Sequence, residues 1–216
     1  MSRCRPADPQ VAGFVLAGGQ SSRMGRDKAL LELGGESLVS RAVHLLQTAG
    51  FTVSIAGAHS ELEHLAPVCP DVTPGLGPLS GICSGLDSMT TDLGVFIPVD
   101  LPFLPVSLLK FLVRHAHTSG IAVTLASVNG FTQTFPAVIR RDALPILRDE
   151  LSAGRSGCFK AFCVASARLQ QPVNIIAAEI VLQSGQIAHP TGVPPYRWFA
   201  NLNTPADLER ARSGIA

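Results

Sequence analysis

The sequence predicts a single α/β domain in which helices flank one mostly parallel sheet. Apolar runs typical of buried strands alternate with segments of helical periodicity, the pattern of strands joined by helical crossovers. The chain has 216 residues, enough for one such domain and too few for two ordinary catalytic domains with a linker. Hydrophobic residues make up 46% of the chain and charged residues only 15%, which indicates a large core and excludes disorder of the whole chain.

The alternation is clearest in the first half of the chain. Val11–Leu16 is an apolar run followed by glycines, as expected of a buried strand that breaks into a loop. The next helix is predicted to begin after Ser37 as its N-cap and to end near Gly50. Further strands are predicted at residues 51–56, 93–99 and 121–127, and further helices at residues 79–89 and 106–117. Right-handed crossovers between these strands make the predicted fold Rossmann-like.

The second half is less regular. An extended segment is predicted at residues 131–140, helices at 142–151 and 158–167, a strand or broken strand at 173–182, and a loop at 190–195. A terminal helix is predicted at 204–212, with Thr204 as its cap and Pro205 at its first position. No repeat or linker divides the chain, so residues 1–216 are predicted to form one domain.

Composition excludes several classes of function. Seventeen Lys and Arg residues balance sixteen Asp and Glu residues, so the chain lacks the basic excess of a non-specific nucleic-acid binder. No apolar run reaches the ~18 residues that span a bilayer. The five cysteines include no C-x-x-C pair and fit neither a disulfide framework nor a zinc site. We therefore expect a cytoplasmic protein with reduced cysteines and with no nucleic-acid or membrane partner.

The glycine-rich segment LAGGQSSRMGRDK, from Leu16 to Lys28, is the strongest chemical signal. Backbone N–H groups of Gly18 and Gly19 can approach an anion without interference from a Cβ atom, and Arg23 and Lys28 add charge that can neutralise phosphate oxygens. The segment lacks the spacing of a Walker A or a dinucleotide-binding loop. On glycine and charge content alone, the alternative is a strand-to-helix turn with solvated basic residues.

Asp100 is the second candidate site residue. It follows the apolar run at residues 93–99, so it is predicted to lie at the carboxyl end of a strand, as is the glycine-rich segment. Ligands of open parallel sheets bind at this edge, and the two segments are expected to flank one crevice. A carboxylate there is a suitable ligand for Mg²⁺, which uses one or two carboxylates together with phosphate oxygens and water. The alternative is an aspartate that only caps a helix or forms a turn.

Five segments, in order along the chain, carry a family resemblance. They are LAGGQSSRMGRDK, Gly77-Pro78-Leu79-Ser80-Gly81-Ile82, Pro98-Val99-Asp100-Leu101-Pro102-Phe103-Leu104-Pro105, Gln133 to Pro136, and Asn201-Leu202-Asn203-Thr204-Pro205. Together they resemble the molybdenum cofactor guanylyltransferase (MobA) family and cover most of the chain. The resemblance implies a nucleotidyltransferase fold, with a nucleotide-binding N-terminal part and an acceptor-binding C-terminal part.

The resemblance also implies a reaction: transfer of GMP from GTP to molybdenum-molybdopterin, with release of pyrophosphate. Nucleotide-binding residues would be Leu16, Ala17, Gly18, Gly19, Lys28, Asp71 and Asp100. Arg23, Lys28 and Asp100 would be catalytic, with Mg²⁺ on Asp100, and Asn201 and Asn203 would bind the acceptor. Asp71 could equally be a turn residue, and the two asparagines could serve as turn and cap residues. Molybdoenzymes or their chaperones are candidate partners.

The sequence departs from the family pattern near the expected position of the base. Family members often carry an asparagine after the second strand, where this chain has Ala56-Gly57-Ala58-His59. The small residues Gly77, Gly81 and Gly85 are expected to leave room for a purine. The alternatives are a molybdenum cofactor cytidylyltransferase or another small nucleotidyltransferase, and a non-catalytic module that binds molybdopterin.

Overall fold

A seven-stranded sheet forms the centre of the protein. The computed structural model describes residues 10–18, 28–57, 60–71 and 75–213. The strands are β1 (Val11–Leu16), β2 (Glu32–Leu33), β3 (Glu36–Ser37), β4 (Thr52–Ala56), β5 (Val68–Cys69), β6 (Leu93–Pro98), β7 (Val123–Val128), β8 (Phe131–Arg140) and β9 (Asn174–Ala177). In the sheet they run in the order β5-β4-β1-β6-β8-β7-β9, and β2 and β3 form a separate hairpin. Only β8 runs antiparallel to its neighbours in the sheet.

Helices cover both faces of this sheet. They are α1 (Leu38–Thr48), α2 (Pro78–Ser88), α3 (Val106–Ser119), α4 (Leu144–Ser152), α5 (Cys158–Arg168), α6 (Ala178–Gln183), α7 (Pro195–Trp198) and α8 (Pro205–Ser213). Side chains alternate along β1: Val11 and Val15 belong to the apolar layer that includes residues of α1, α3, α6, α7 and α8, whereas Phe14 and Leu16 belong to the layer that includes residues of α2, α4 and α5. Successive side chains of a strand point to opposite faces of the sheet, so β1 contributes to the apolar layers on both faces.

The predicted fold class is confirmed, and most predicted elements lie within two residues of their predicted bounds. The prediction for residues 173–182 is wrong in its second half, because β9 ends at Ala177 and α6 begins at Ala178. Ala178 and Val181 are buried and three residues apart, so this apolar stretch buries one helical face after a short strand. In the described part of the chain, no helix is long and apolar enough to cross a membrane.

The glycines of α2 pack the helix against the sheet. A methyl group on Gly85 would lie 2.8 Å from Phe96 Cε1 and 2.9 Å from Phe14 Cδ1. These two rings are stacked with their centroids 4.9 Å apart, so neither has room to move. A methyl group on Gly81 would likewise lie 3.2 Å from Leu16 Cδ2. The expectation that Gly81 and Gly85 leave room for a purine is therefore wrong, and of the three glycines named for this purpose only Gly77 would carry a methyl group with nothing within 4 Å.

Four cysteines, Cys69, Cys83, Cys158 and Cys163, lie in the described part of the chain as free thiols. Burial raises the pKa of Cys83 to about 11 and that of Cys158 to about 12. Both thiols therefore stay protonated at neutral pH and act as small apolar core residues.

Candidate active site

Lys28 joins two distant segments at the carboxyl edge of the sheet. Its Nζ donates to Asp100 Oδ2 at 2.6 Å and to Asn203 Oδ1 at 2.6 Å. The Lys28 and Asp100 side chains are each 17% exposed, so the ion pair is largely shielded from water. The structure thus brings the end of the glycine-rich segment next to Asp100, as the position of both at strand ends predicts.

The two carboxylate oxygens of Asp100 differ in their hydrogen bonding to the described residues. Oδ2 accepts from Lys28, whereas Oδ1 is buried and accepts no hydrogen bond from any residue that the structure describes. A buried carboxylate oxygen is costly to leave unsatisfied, and a hard cation or a donor on a bound ligand would satisfy it. The described residues include no cluster of three or more His, Cys, Asp or Glu side chains suited to a metal ion. Among the described residues, Asp100 is the candidate ligand for a cation here, and oxygens of a bound ligand could add to it.

The end of β1 lies between the ends of β4 and β6. Leu16 pairs with Ala56 on one side and with Pro98 on the other, and the Ala17 N–H donates to the Ala56 carbonyl at 3.0 Å. The next residue, Gly57, has a φ of 146°. A methyl group on it would lie 2.9 Å from the Gly18 nitrogen, so the two backbones are close here as well. The absence of a side chain on Gly57 thus lets the end of β4 pack closely against the end of β1.

Asp71 lies between Gly18, just after β1, and Gly81 of α2. A methyl group on Gly18 would lie 3.3 Å from Asp71 Oδ2, and one on Gly81 would lie 3.4 Å from Asp71 Oδ1. The carboxylate therefore occupies a notch between two glycines. Ala29, next to Lys28, instead packs into the layer of α1 and α3. Asp71 is thus a neighbour of the end of β1, where Gly18 lies.

Asn201 and Asn203 are both exposed, and Leu202 between them is buried. The Leu202 N–H donates to the Asp100 carbonyl at 3.1 Å, so this segment runs beside the end of β6. Asn203 reaches Lys28, whereas the Asn201 amide makes no hydrogen bond to another described residue. The two asparagines therefore differ in role: one is part of the charged cluster and the other faces solvent.

The segment from Gln133 to Pro136 forms a bulge in β8. Ala126 of β7 pairs with Gln133 and Leu125 pairs with Ala137, so residues 134–136 have no partner in the ladder. Pairing between β6 and β8 begins at Ala137, opposite Phe96, which places the bulge near the carboxyl end of β6. Gln133 itself donates to the Phe131 carbonyl within the hairpin.

Two residues near the site escaped the sequence analysis. Gly57 is one, because its tight contact with Gly18 depends on how two strands end side by side. Asp207 is the other: its Oδ2 accepts from the backbone N–H groups of Asn203 and Thr204 at 3.0 and 2.7 Å. The spacing of Thr204 and Asp207 is that of a capping box and could have indicated it. Two predicted site residues, Gly19 and Arg23, lie outside the described residues.

Residues 13–212 match the family described as MobA-like NTP transferase domain. The chain belongs to this family. It is therefore a nucleotidyltransferase, in agreement with the segments noted in the sequence.

Three similar proteins place the chain within the family and its fold. It is 32% identical over 212 residues to the molybdenum cofactor guanylyltransferase of Rhodobacter capsulatus, covering 95% of this chain and 97% of that one. The crystal structure of molybdopterin-guanine dinucleotide biosynthesis protein A from Archaeoglobus fulgidus superposes with a TM-score of 0.75 at 20% identity, over 94% of this chain and 98% of the other. The 2-C-methyl-D-erythritol 4-phosphate cytidylyltransferase of Thermus thermophilus superposes with a TM-score of 0.63 at 14% identity, over 94% and 97%. MobA-like proteins thus share their fold with an enzyme named for a different base, and the fold alone does not select guanine.

Proposed function

We propose that this MobA-like protein transfers GMP from GTP to molybdenum-molybdopterin, giving the guanine dinucleotide cofactor and pyrophosphate. The observation that carries the proposal is the cluster of Lys28, Asp100 and Asn203 at the carboxyl edge of the sheet. It joins the segment proposed for the nucleotide to the segment proposed for the acceptor. Similarity to the Rhodobacter capsulatus enzyme over nearly the whole of both chains supports the choice of substrates.

The reaction requires that the two phosphate groups be positioned and their negative charge neutralised, and it does not require a strong base. An oxygen of the terminal phosphate of molybdopterin attacks the α-phosphorus of GTP, and the bond from that phosphorus to the bridging oxygen of the β-phosphate breaks. The acceptor oxygen is already anionic, so no proton has to be removed. Lys28, fixed by two acceptors, supplies a positive charge where two anions meet, and Arg23 is proposed to supply another.

The donor set fits Mg²⁺. Asp100 offers a buried carboxylate oxygen without a partner among the described residues, and Lys28 neutralises the other oxygen. Mg²⁺ commonly binds through one carboxylate and substrate phosphates. When bound, the ion would stabilise negative charge on the triphosphate and on the leaving pyrophosphate. Asp100 would hold it, and Lys28 would orient the carboxylate for that purpose.

The base would be recognised largely by backbone groups of Leu16, Ala17, Gly18 and Gly19, with Asp71 close to the nucleoside. A methyl group on Gly77 would meet nothing within 4 Å, so the chain there is open to a ligand, and the Asp71 carboxylate is an acceptor for N–H or O–H groups of the nucleoside. Guanine presents two donors and one acceptor on its Watson–Crick edge. Adenine reverses this pattern at its six-position amine, and cytosine is too small to fill the same space.

The acceptor side is proposed to include Asn201 and Asn203. Asn201 is exposed at the edge of the site, where its amide is able to bind the acceptor phosphate. Molybdoenzymes or their chaperones are proposed recipients of the product, and a cytoplasmic location is part of the same proposal.

A competition among nucleotides tests the proposal. Equimolar GTP, CTP and ATP are offered with Mg²⁺ and molybdenum-loaded molybdopterin, and the dinucleotide products are separated by mass. We expect guanine dinucleotide to exceed each of the others by at least ~10-fold, since each unpaired buried polar group costs about 1–3 kcal/mol. Mostly cytosine dinucleotide would identify a cytidylyltransferase. No dinucleotide, with molybdopterin still bound, would identify a binding module.

A further inference from the structure

We propose that Asp207 is a positioning residue for nucleotidyl transfer: it fixes the backbone of Asn203 so that the Asn203 amide holds Lys28 against Asp100. The expected effect on turnover rests on the proposed function, whereas the contact between Asp207 and Asn203 does not. Asp207 lies on α8 and has no described contact with Lys28 or Asp100 of its own.

The contacts form a continuous chain from α8 to the charged cluster. Asp207 Oδ2 accepts from the Asn203 N–H at 3.0 Å and from the Thr204 N–H at 2.7 Å. Asn203 Oδ1 in turn accepts from Lys28 Nζ at 2.6 Å, and Lys28 donates to Asp100 at 2.6 Å. The buried Leu202 side chain and the bond from its N–H to the Asp100 carbonyl hold the other end of the segment.

These bonds exceed what is needed to cap a helix. In a capping box, the side chain at the third helical position reaches back to the N–H of the cap residue alone, and the cap side chain bonds the N–H of the third residue. Asp207 and Thr204 make both of those bonds. The additional bond goes to Asn203, one residue before the cap, and does not stabilise the helix terminus. It instead restricts the backbone of the residue that contacts Lys28.

Substitutions of the two capping-box residues, Asp207 and Thr204, therefore form a matched pair of variants. Asp207→Ala removes the cap and releases Asn203, whereas Thr204→Ala removes the hydroxyl of the cap and leaves the carboxylate on both backbone N–H groups. Asp207→Asn keeps an oxygen that is able to accept from the same groups and serves as the conservative rescue. Should Asp207→Ala not fold, Asp207→Ser replaces it, because a serine hydroxyl is too short to reach both N–H groups.

The kinetic test compares these variants at a temperature at which circular dichroism finds each of them folded. We expect Asp207→Ala to lower kcat by about tenfold with little change in KM for GTP, well within the ~100-fold that a displacement of about 1 Å can cost. Thr204→Ala and Asp207→Asn should stay near the wild-type kcat. In the Asn203→Ala background, Asp207→Ala should cause no further loss, because the residue through which it acts is gone.

A second readout needs no turnover. Nitrogen-15 relaxation of the Asn203 side-chain amide should report an ordered group in the wild type and in Thr204→Ala, and a mobile one in Asp207→Ala. An ordered Asn203 amide in Asp207→Ala, equal kcat values for Asp207→Ala and Thr204→Ala, or additive losses in the double variant would each overturn the proposal. If the wild type makes no dinucleotide, the proposed function fails, and the relaxation data alone decide whether Asp207 positions Asn203.

Discussion

Lys28 is held by two acceptors of the protein itself. Asp100 and Asn203 use two of its three N–H donors, and the position of the ammonium group is fixed by parts of the chain that lie 72 and 175 residues away. A preorganised cation loses little freedom when an anion arrives, so its interaction energy is available to the transition state. The stabilisation that Lys28 gives to the transition state therefore depends on the position of its ammonium group as much as on its charge.

Replacing Lys28 tests that dependence. Lys28→Ala should lower kcat by about 10² to 10³, the range for loss of one preorganised group at a developing anion. Lys110→Ala, on the exposed side of α3, is the matched control and should leave turnover unchanged. The measurement is guanylyl transfer at saturating GTP. A wild-type rate in folded Lys28→Ala would contradict the role of Lys28.

Asp100 carries the second prediction. Asp100→Asn keeps the size of the side chain and loses the charge that holds a hard cation, so Mg²⁺-dependent transfer should be abolished while molybdopterin binding stays near wild type. Asp87→Asn removes an exposed carboxylate that pairs with Arg148 at the surface and serves as the control. Calorimetric titration with Mg·GTP is the direct measurement. Binding and turnover near wild type would mean that Asp100 is only a turn residue.

Helix α2 lies against the sheet because its glycines carry no side chain there. Gly85→Ala gains up to ~1 kcal/mol in helix propensity but forces a methyl group into the stacked rings of Phe14 and Phe96, which costs about 1–3 kcal/mol. We expect a net loss in the free energy of unfolding, measured with urea. Gly157→Ala, where a methyl group meets nothing within 4 Å, should cost less. An equal or greater loss in Gly157→Ala would rule out the steric explanation.

The cap of α8 makes the helix sensitive to acid. Side-chain hydrogen bonds with Thr204 and Arg210 lower the pKa of Asp207 to about 2. Its ordinary pKa in an unfolded chain is about 3.9, so the ionised form stabilises the folded protein above pH ~4, and this contribution is lost as the pH falls towards 2. Asp207→Asn should therefore flatten the decline of Tm between pH 5 and pH 2. Glu209→Gln, which removes an exposed carboxylate from the same helix, controls for the change in net charge.

Alternating apolar runs were enough to predict the fold, because buried parallel strands and amphipathic helices have different periods. Two features needed the structure. The strands β2, β3 and β5 have two residues each, too few to produce a periodic pattern. The glycines of α2 were interpreted as space for a ligand, and only the positions of Phe14 and Phe96 reveal that Gly85 is a packing contact.

The sequence predicts one contact of the candidate site but not the others. That Lys28 and Asp100 lie together follows from where parallel strands end. That Asn203 contacts Lys28 does not follow from sequence, because it depends on the path by which the last segment returns to the end of β6. The role of Asp207 depends in turn on that contact, and local sequence identifies it only as a helix cap.

The separation of 175 residues between Lys28 and Asn203 also has a consequence for protein synthesis. A nascent chain folds from its N-terminus while the ribosome is still adding residues. By the time residue 200 is added, all strands of the sheet, Lys28 and Asp100 have been made, but the residue that fixes the lysine has not. An interrupted translation product that lacks Asn203 would therefore be able to bury most of a core while Lys28 is not yet fixed, and full catalytic competence would require the segment made after residue 200.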